Sequence, residues 1–310
     1  MNASARDFDA QDHAQQDTAL GIRGLTKKFG TFQLGPIDLE VPRGYVMGLV
    51  GANGSGKTTT IKSALGMVVP DGGELAVPTM DRVGVVLDTP YFMSWWDALA
   101  IEKSVRAFYP RWSPERYREL LHRLDVSTDV RVAKMSRGTG MKLQVAVALA
   151  HDPELLLLDE PTSGLDPLAR DDFIDLIAEF MQDETHAVLF STHITTDLER
   201  IADYVTVLDS GRVAASAPTA DLLQEYRLVR GGLRDLTDVM RPRLYGLRTH
   251  ASGFEGLALT SDADTWPGDL VLEPPTLDQI VVGVAKHGRS AGMTSSAGSA
   301  GSVMAQEGAS

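Results

Sequence analysis

A chain of 310 residues, 43% hydrophobic and 23% charged, is long enough for one large domain with an appendage and has the balance of a folded globular protein. Its formal net charge of −13 would repel a phosphate backbone, which excludes nucleic acid as the partner of the molecule as a whole. With no cysteine there is no disulfide and no thiolate metal site, a composition that fits the cytosol.

In chain order, residues 1–18 are acidic and polar, lack the apolar stretch of a secretory signal and read as a disordered arm. Apolar runs such as "VAVALA" and "LLLL" fall short of the roughly 18 residues a bilayer span requires, so no crossing segment is expected. From Gly21 short β-rich runs begin: "PIDLEV", then "GYVMGLV", which leads straight into a glycine-rich loop. Lys57 to Met67 reads as a helix and "RVGVVLD" (82–88) as a buried strand. Residues 89 to about 150 hold no comparable strand and read as a helical insert. Within it, "SPERYRELLHRL" has Ser113 as N-cap and Pro114 at the first helical position. The apolar strands "ELLLLD" (154–159), "AVLFST" (187–192) and "YVTVLDS" (204–210) alternate with helical stretches, the pattern of an α/β fold with a mostly parallel sheet. Past 225 the signal weakens into a small α+β segment reaching 287. The low-complexity stretch 288–310 reads as disordered.

The loop Gly51-Ala-Asn53-Gly54-Ser55-Gly56-Lys57-Thr58, followed by Thr59, fits the phosphate-loop pattern G-x-x-x-x-G-K-[ST] between a strand and a helix, the context that motif needs. Glycines let successive N–H groups turn inward toward phosphates, and the helix N-terminus adds positive potential. Lys57 supplies a charge to the β- and γ-phosphates, and Thr58 offers a hydroxyl to Mg²⁺. Downstream, "LLLLDEP" sets Asp159 and Glu160 at the exit of a strand buried on both faces. Asp159 is placed to meet the Mg²⁺ shell, and Glu160 beside it to polarise an attacking water.

Between loop and carboxylates stands "MSRGTGMKLQVAVALAHDP", followed by "LLLLDEPTSGLDPLAR" and "LFSTHI". Together these resemble the ATP-binding subunits of ABC transporters over about residues 21–225, with five motifs in the family's order. The resemblance implies a P-loop ABC ATPase fold: a mostly parallel core sheet, an N-terminal antiparallel β subdomain and an inserted helical subdomain, with the ATP-binding domain over 19–225. Ser136-Arg137-Gly138-Thr139-Gly140 takes the place of the family's LSGGQ signature, which serves a γ-phosphate held by the other subunit. Ser163 to Asp166 resembles the D-loop, His193 the switch histidine, and Phe29 the aromatic that stacks on adenine. The implied partners are a second copy of the chain and a separate integral membrane permease, with the subunit cytoplasmic and peripheral at the inner face of the membrane.

Two departures stand out. Where the family carries a glutamine near Mg²⁺, this chain has Asp88, which could bind the metal or act through water. Arg137 replaces the first glycine of the signature, where a long cation could reach phosphate, the partner or only solvent. These features, with "FYPRWSPERYRELLHRL" and "PTLDQIVVGVAKHG", resemble the ABC-2-type exporter ATPases of antibiotic and peptide efflux, extending the likeness to about residue 287. From Lys103 to Lys142 there are ten Lys or Arg against four Asp or Glu. That basic island reads either as a face for phosphates or a permease loop, or as a solvated helix surface. The cluster "YFMSWWDAL" reads as permease contact or as core of the helical lobe. A nucleoside kinase would explain the loop but neither signature nor histidine. A soluble ABC ATPase and a slow, regulatory dimer switch remain the alternatives.

Overall fold

In the computed structural model, which describes residues 18–267 and 269–286, the chain opens with a hairpin. Strands β1 (Thr18–Phe29) and β2 (Phe32–Pro42) pair antiparallel, with Phe29 opposite Phe32 across a two-residue turn. Next come β3 (Val46–Val50), helix α1 (Lys57–Ala64) and β4 (Gly72–Ala76), the last returning to the free edge of β1. The expected arm over 1–18 and tail over 288–310 lie outside the described residues, apart from Thr18, which starts β1.

Helix α1 ends earlier than the expected Met67. Gly66 takes a left-handed φ of 69°, and the Met67 amide turns back to the Lys62 carbonyl at 2.9 Å. This is a glycine-terminated helix end, in which a residue without Cβ adopts the conformation that satisfies the last carbonyls.

After β5 (Val83–Val86) come three helices, α2 (Ala98–Val105), α3 (Pro114–Arg123) and α4 (Arg137–Leu149), with no strand among them. Ser113 caps α3, accepting the Arg116 amide at 3.2 Å, with Pro114 leading the helix. The chain continues through β6 (Leu155–Asp159), α5 (Pro167–Phe180), β7 (Ala187–Thr192), α6 (Thr195–Ile201), β8 (Tyr204–Asp209), β9 (Arg212–Pro218) and α7 (Thr219–Glu225). The main sheet has the order β5-β6-β7-β3-β8-β9, parallel except for β9 at its edge.

Both faces of this sheet are buried, as the unbroken apolar runs of β6 and β7 require. Leu156, Leu158, Val188 and Phe190 face Leu143 and Val147 of α4 and Phe173 and Ile177 of α5. Leu155, Leu157, Ala187 and Leu189 face Ile22, Leu34 and Ile37 of the hairpin and Ile61 of α1. The sheet is therefore a rigid plank, and its C-terminal edge carries the loops that matter chemically.

The remaining described residues form a second antiparallel sheet, β11-β12-β10-β13, from β10 (Tyr226–Gly231), β11 (Tyr245–His250), β12 (Gly253–Leu259) and β13 (Val271–Glu273). A last helix over 277–286 returns to the main core through Leu277, Ile280 and Val284. Glu199 of α6 accepts its Leu277 amide at 2.7 Å.

The basic island is partly neutralised by acids outside it, since Arg111, Arg116 and Arg123 pair with Glu154, Asp152 and Glu179. The aromatic cluster divides: Phe92 is buried and Trp96 packs against the core, whereas Tyr91, Met93 and Trp95 are exposed.

His151, only 1% exposed, closes the C-terminal end of α4. Its Nδ1 lies 3.2 Å from the Val147 carbonyl, its Nε2 lies 3.3 Å from the Val83 carbonyl, and the ring stacks on Tyr109 at 4.1 Å. Burial pushes the imidazole below its usual pKa, partly offset by the two carbonyls. Above about pH 6.5 folded and unfolded chains both hold this histidine neutral. As pH falls below that value the unfolded chain takes up a proton the folded chain resists, so this site loses stability. Thermal melts from pH 7 to pH 5 should show a fall in wild type that is shallower in His151→Gln, and parallel curves would refute the effect.

Candidate functional site

The exit of β3 and the start of α1 make the loop. Gly54 and Gly56 hold φ values of 79° and 114°. A Cβ on Gly56 would meet Leu34 Cδ1 at 2.4 Å, and one on Gly51 would meet the Leu208 carbonyl oxygen at 2.2 Å. Glycine is thus required here by backbone angle and by close packing together. The Ser55 hydroxyl is buried with no hydrogen-bond partner, a polar group left open inside the loop.

Lys57, 5% exposed, folds back so that its Nζ donates to the Gly51 carbonyl at 2.8 Å and lies 3.2 Å from Glu160 Oε1. The second carboxylate oxygen of Glu160 lies 2.7 Å from His193 Nδ1 and accepts the His193 amide at 3.3 Å. Glu160 therefore links a buried ammonium to a half-exposed imidazole. It sits at a left-handed φ of 52°, where a non-glycine residue costs on the order of 1–2 kcal/mol. Its backbone N–H donates to the Ser191 carbonyl at 2.9 Å, which anchors that turn to β7.

Asp159, at the tip of β6, accepts the Ser191 hydroxyl at 2.9 Å and a hydrogen bond from Thr58. Burial raises its pKa, opposed by those two hydrogen bonds and by the Lys57 charge, while the neighbouring Glu160 raises it further. A buried carboxylate with a threonine hydroxyl beside it is a hard oxygen donor set, which suits Mg²⁺. Among the described residues no group of three or more His, Cys, Asp and Glu could hold a metal by itself. An ion at Thr58 and Asp159 would complete its shell with phosphate oxygens and water, as Mg²⁺ commonly does.

Lys57, Thr58, Glu160 and His193 border a cavity of about 680 Å³. Asn53, Gly54, Ser55, Gly56, Lys57, Thr58 and Thr59 form its floor, with Glu160, His193, Asp88 and Arg137 around them. Asp88 and Arg137 form an ion pair at its rim. Several sequence candidates, Gly51 and Asp159 among them, stand outside the lining. Ser136 caps α4, accepting the Thr139 amide at 3.0 Å, and Gly138 packs against Leu165 and Gly164. Asp166 caps α5 through the Ala169 amide, also at 3.0 Å. Phe29 is exposed, with Lys27 Nζ 5.6 Å from its ring centroid.

Of the lining residues, Phe32 was not among the sequence candidates, and Ser163 was singled out only as the start of the D-loop stretch. The room Gly56 leaves beside Leu34 and the Phe32 ring is the signal that finds the first. Ser163 lies within "TSGLD", where its distance from the loop cannot be read.

The ABC transporter family profile matches residues 34–163, which span this loop, the signature helix and the carboxylates. The chain is 34% identical over 212 residues to the ABC transporter ATP-binding protein YdbJ of Bacillus subtilis (strain 168), covering 63% of this chain and 68% of that protein. It is 31% identical over 274 residues to the Nod factor export ATP-binding protein I of Rhizobium sp. (strain N33), covering 79% and 87%. A solved ATP-binding subunit of an ABC transporter superposes with a TM-score of 0.61 at 26% identity, covering 66% of this chain and 92% of its own. In sequence and in fold the likeness is thus to proteins of one kind, and this chain belongs to the ABC transporter ATP-binding proteins, a family of ATPases.

Proposed function

We propose that this chain powers an exporter: two copies close head to tail on two ATP molecules, drive a separate ABC-2-type permease, and reopen when Glu160 promotes hydrolysis. The observation that carries the reading is the Lys57–Glu160–His193 contact chain within one cavity of triphosphate size. Export is also what the name of the Rhizobium relative states for that protein. Residues 19–225 would form the ATP-binding domain and 226–287 an appendage.

An arriving triphosphate draws Lys57 from Glu160 toward the phosphates. Glu160 Oε1 then becomes free to take a proton from water, while His193 keeps Oε2 and fixes the carboxylate plane. The water oxygen bonds to the γ-phosphorus as the bond to the ADP oxygen breaks. Thr58 and Asp159 would hold Mg²⁺, which when bound neutralises phosphate charge. Ser136 and the backbone amides of Arg137 and Gly138, with Asp166, would meet the triphosphate of the other copy. The base would lie against Phe32 or Phe29, at the hairpin tip beside the loop.

No helix among the described residues is long and apolar enough to cross a membrane, so transport on this reading needs the permease. Trp95, 64% exposed, with Tyr91 and Met93, offers aromatic and thioether surface for it, which would place the subunit at the cytoplasmic face. A slow dimer switch is the second reading, favoured by Asp88 standing where the family has glutamine. In lipid, adding the cognate permease should raise ATP hydrolysis several-fold, whereas flat activity would favour the switch.

A further inference from the structure

The segment 87–90, which leaves β5 for the helical region, is fastened to one face of α4. Gln144 grips the backbone of Leu87 at both ends: its Oε1 accepts the amide at 3.1 Å and its Nε2 donates to the carbonyl at 3.0 Å. Arg137 pairs with Asp88. Gly140 lets Pro90 approach so closely that a Cβ there would lie 2.8 Å from Pro90 Cγ. Positions 137, 140 and 144 share one helix face at spacings of three and four. Of the three ties only the Asp88–Arg137 pair is charged and half exposed, at 48% and 49%, and only it reaches the phosphate cavity. The same two residues also border a second cavity of about 450 Å³ toward Phe92 and Met135, so the pair is the partition between the two spaces.

A carboxylate on the wall of a phosphate site opposes the ligand unless it is neutralised. Arg137 neutralises Asp88, yet its planar guanidinium suits phosphate as well as carboxylate, and it cannot give both its full fork. We propose that Arg137 is a phosphate-binding residue held in reserve by Asp88: it cancels the carboxylate while the cavity is empty, and the arriving triphosphate takes it over. Nucleotide thereby exchanges a tie between segment 87–90 and α4 for one between α4 and phosphate. The remaining ties, at Gln144 and Gly140, keep the segment on the helix through the exchange. This inference rests on the reading that the cavity holds the triphosphate.

The test is the sign of two substitutions on the affinity of the full chain for the non-hydrolysable analogue AMP-PNP with Mg²⁺. Asp88→Asn removes the competitor and should tighten binding about fivefold. Arg137→Ala leaves Asp88 uncompensated and should weaken it about tenfold. The double variant should fall between the two. A purely structural tie would be broken equally by either change, so shifts in the same direction overturn the proposal, as do two affinities within twofold of wild type. Because both side chains are half exposed, folding is not at stake, and Arg137→Gln serves as a second neutral variant with the same expected direction. Lys57→Ala separates the levels. If it binds the analogue like wild type, the cavity reading itself fails. If it loses binding while Asp88→Asn and Arg137→Ala move together, only the exchange fails.

Discussion

Glu160→Gln is expected to slow ATP hydrolysis at least about 100-fold while making the chain hold ATP more tightly. Glutamine preserves the shape at the strained φ of 52° and can still accept the His193 amide, so the turn survives. What it lacks is the capacity to take a proton. No other carboxylate at the site is placed to substitute, because Asp159, outside the cavity lining, is engaged by Ser191 and Thr58, and Asp88 stands at the rim. The tighter binding follows from Lys57, which loses its anionic neighbour at 3.2 Å and is free for phosphate. Phosphate release at saturating ATP reads the first effect, and light scattering of the ATP-bound dimer reads the second. Unchanged turnover would remove Glu160 as the base. Slower turnover with weaker binding would mean that the substitution had disturbed the Lys57 contact instead.

Lys57→Ala is expected to weaken ATP binding by about 100-fold or more. A hydrogen bond to a charged group contributes about 1.5–3 kcal/mol, and this ammonium is the cation on the floor of the cavity. At about 1.4 kcal/mol per decade, one such contact retained by two phosphates accounts for that loss. In the nucleotide-free chain the lysine is already desolvated and held by the Gly51 carbonyl, so little ordering opposes its transfer to phosphate. Titration with ATP, beside a circular dichroism spectrum matching wild type, is the check. An unaltered affinity would contradict the cradle.

Much of the fold could be read from the chain because the main sheet is buried on both faces. Such strands are unbroken apolar runs, and "AVLFST" corresponds residue for residue to β7. The first hairpin was far less legible. In β1 the register shifts between Thr18 and Leu20, Ile22 and Leu25, and Leu25 and Lys27, so no two-residue alternation persists long enough to mark a strand. Local signals place Ser113 and Pro114 at the head of α3, whereas α1 stops short of Met67 because Gly66 turns left-handed.

At the site, Lys57 and Glu160 were legible through motifs whose spacing is fixed by the strand ends that bear them. The choice of aromatic was not. Phe29 and Phe32 face each other across the hairpin turn, and only the packing at Gly56 shows which ring lies by the loop. Nor could the Asp88–Arg137 pair be foreseen, since two charges far apart in sequence carry no mark of being neighbours in space.

The strand order also bears on how the molecule is made. β3 sits between β7 and β8, with Val46 beside Val188 and Met47 beside Tyr204. During synthesis from the N-terminus, its two hydrogen-bonding edges stay unmatched until most of the polypeptide has emerged. Pairings this distant close slowly, and bare edges invite association with other nascent chains. A ribosome-stalled fragment ending near residue 180 should therefore be protease-sensitive through the phosphate loop and bind chaperones, and one extended past Asp209 should gain resistance there.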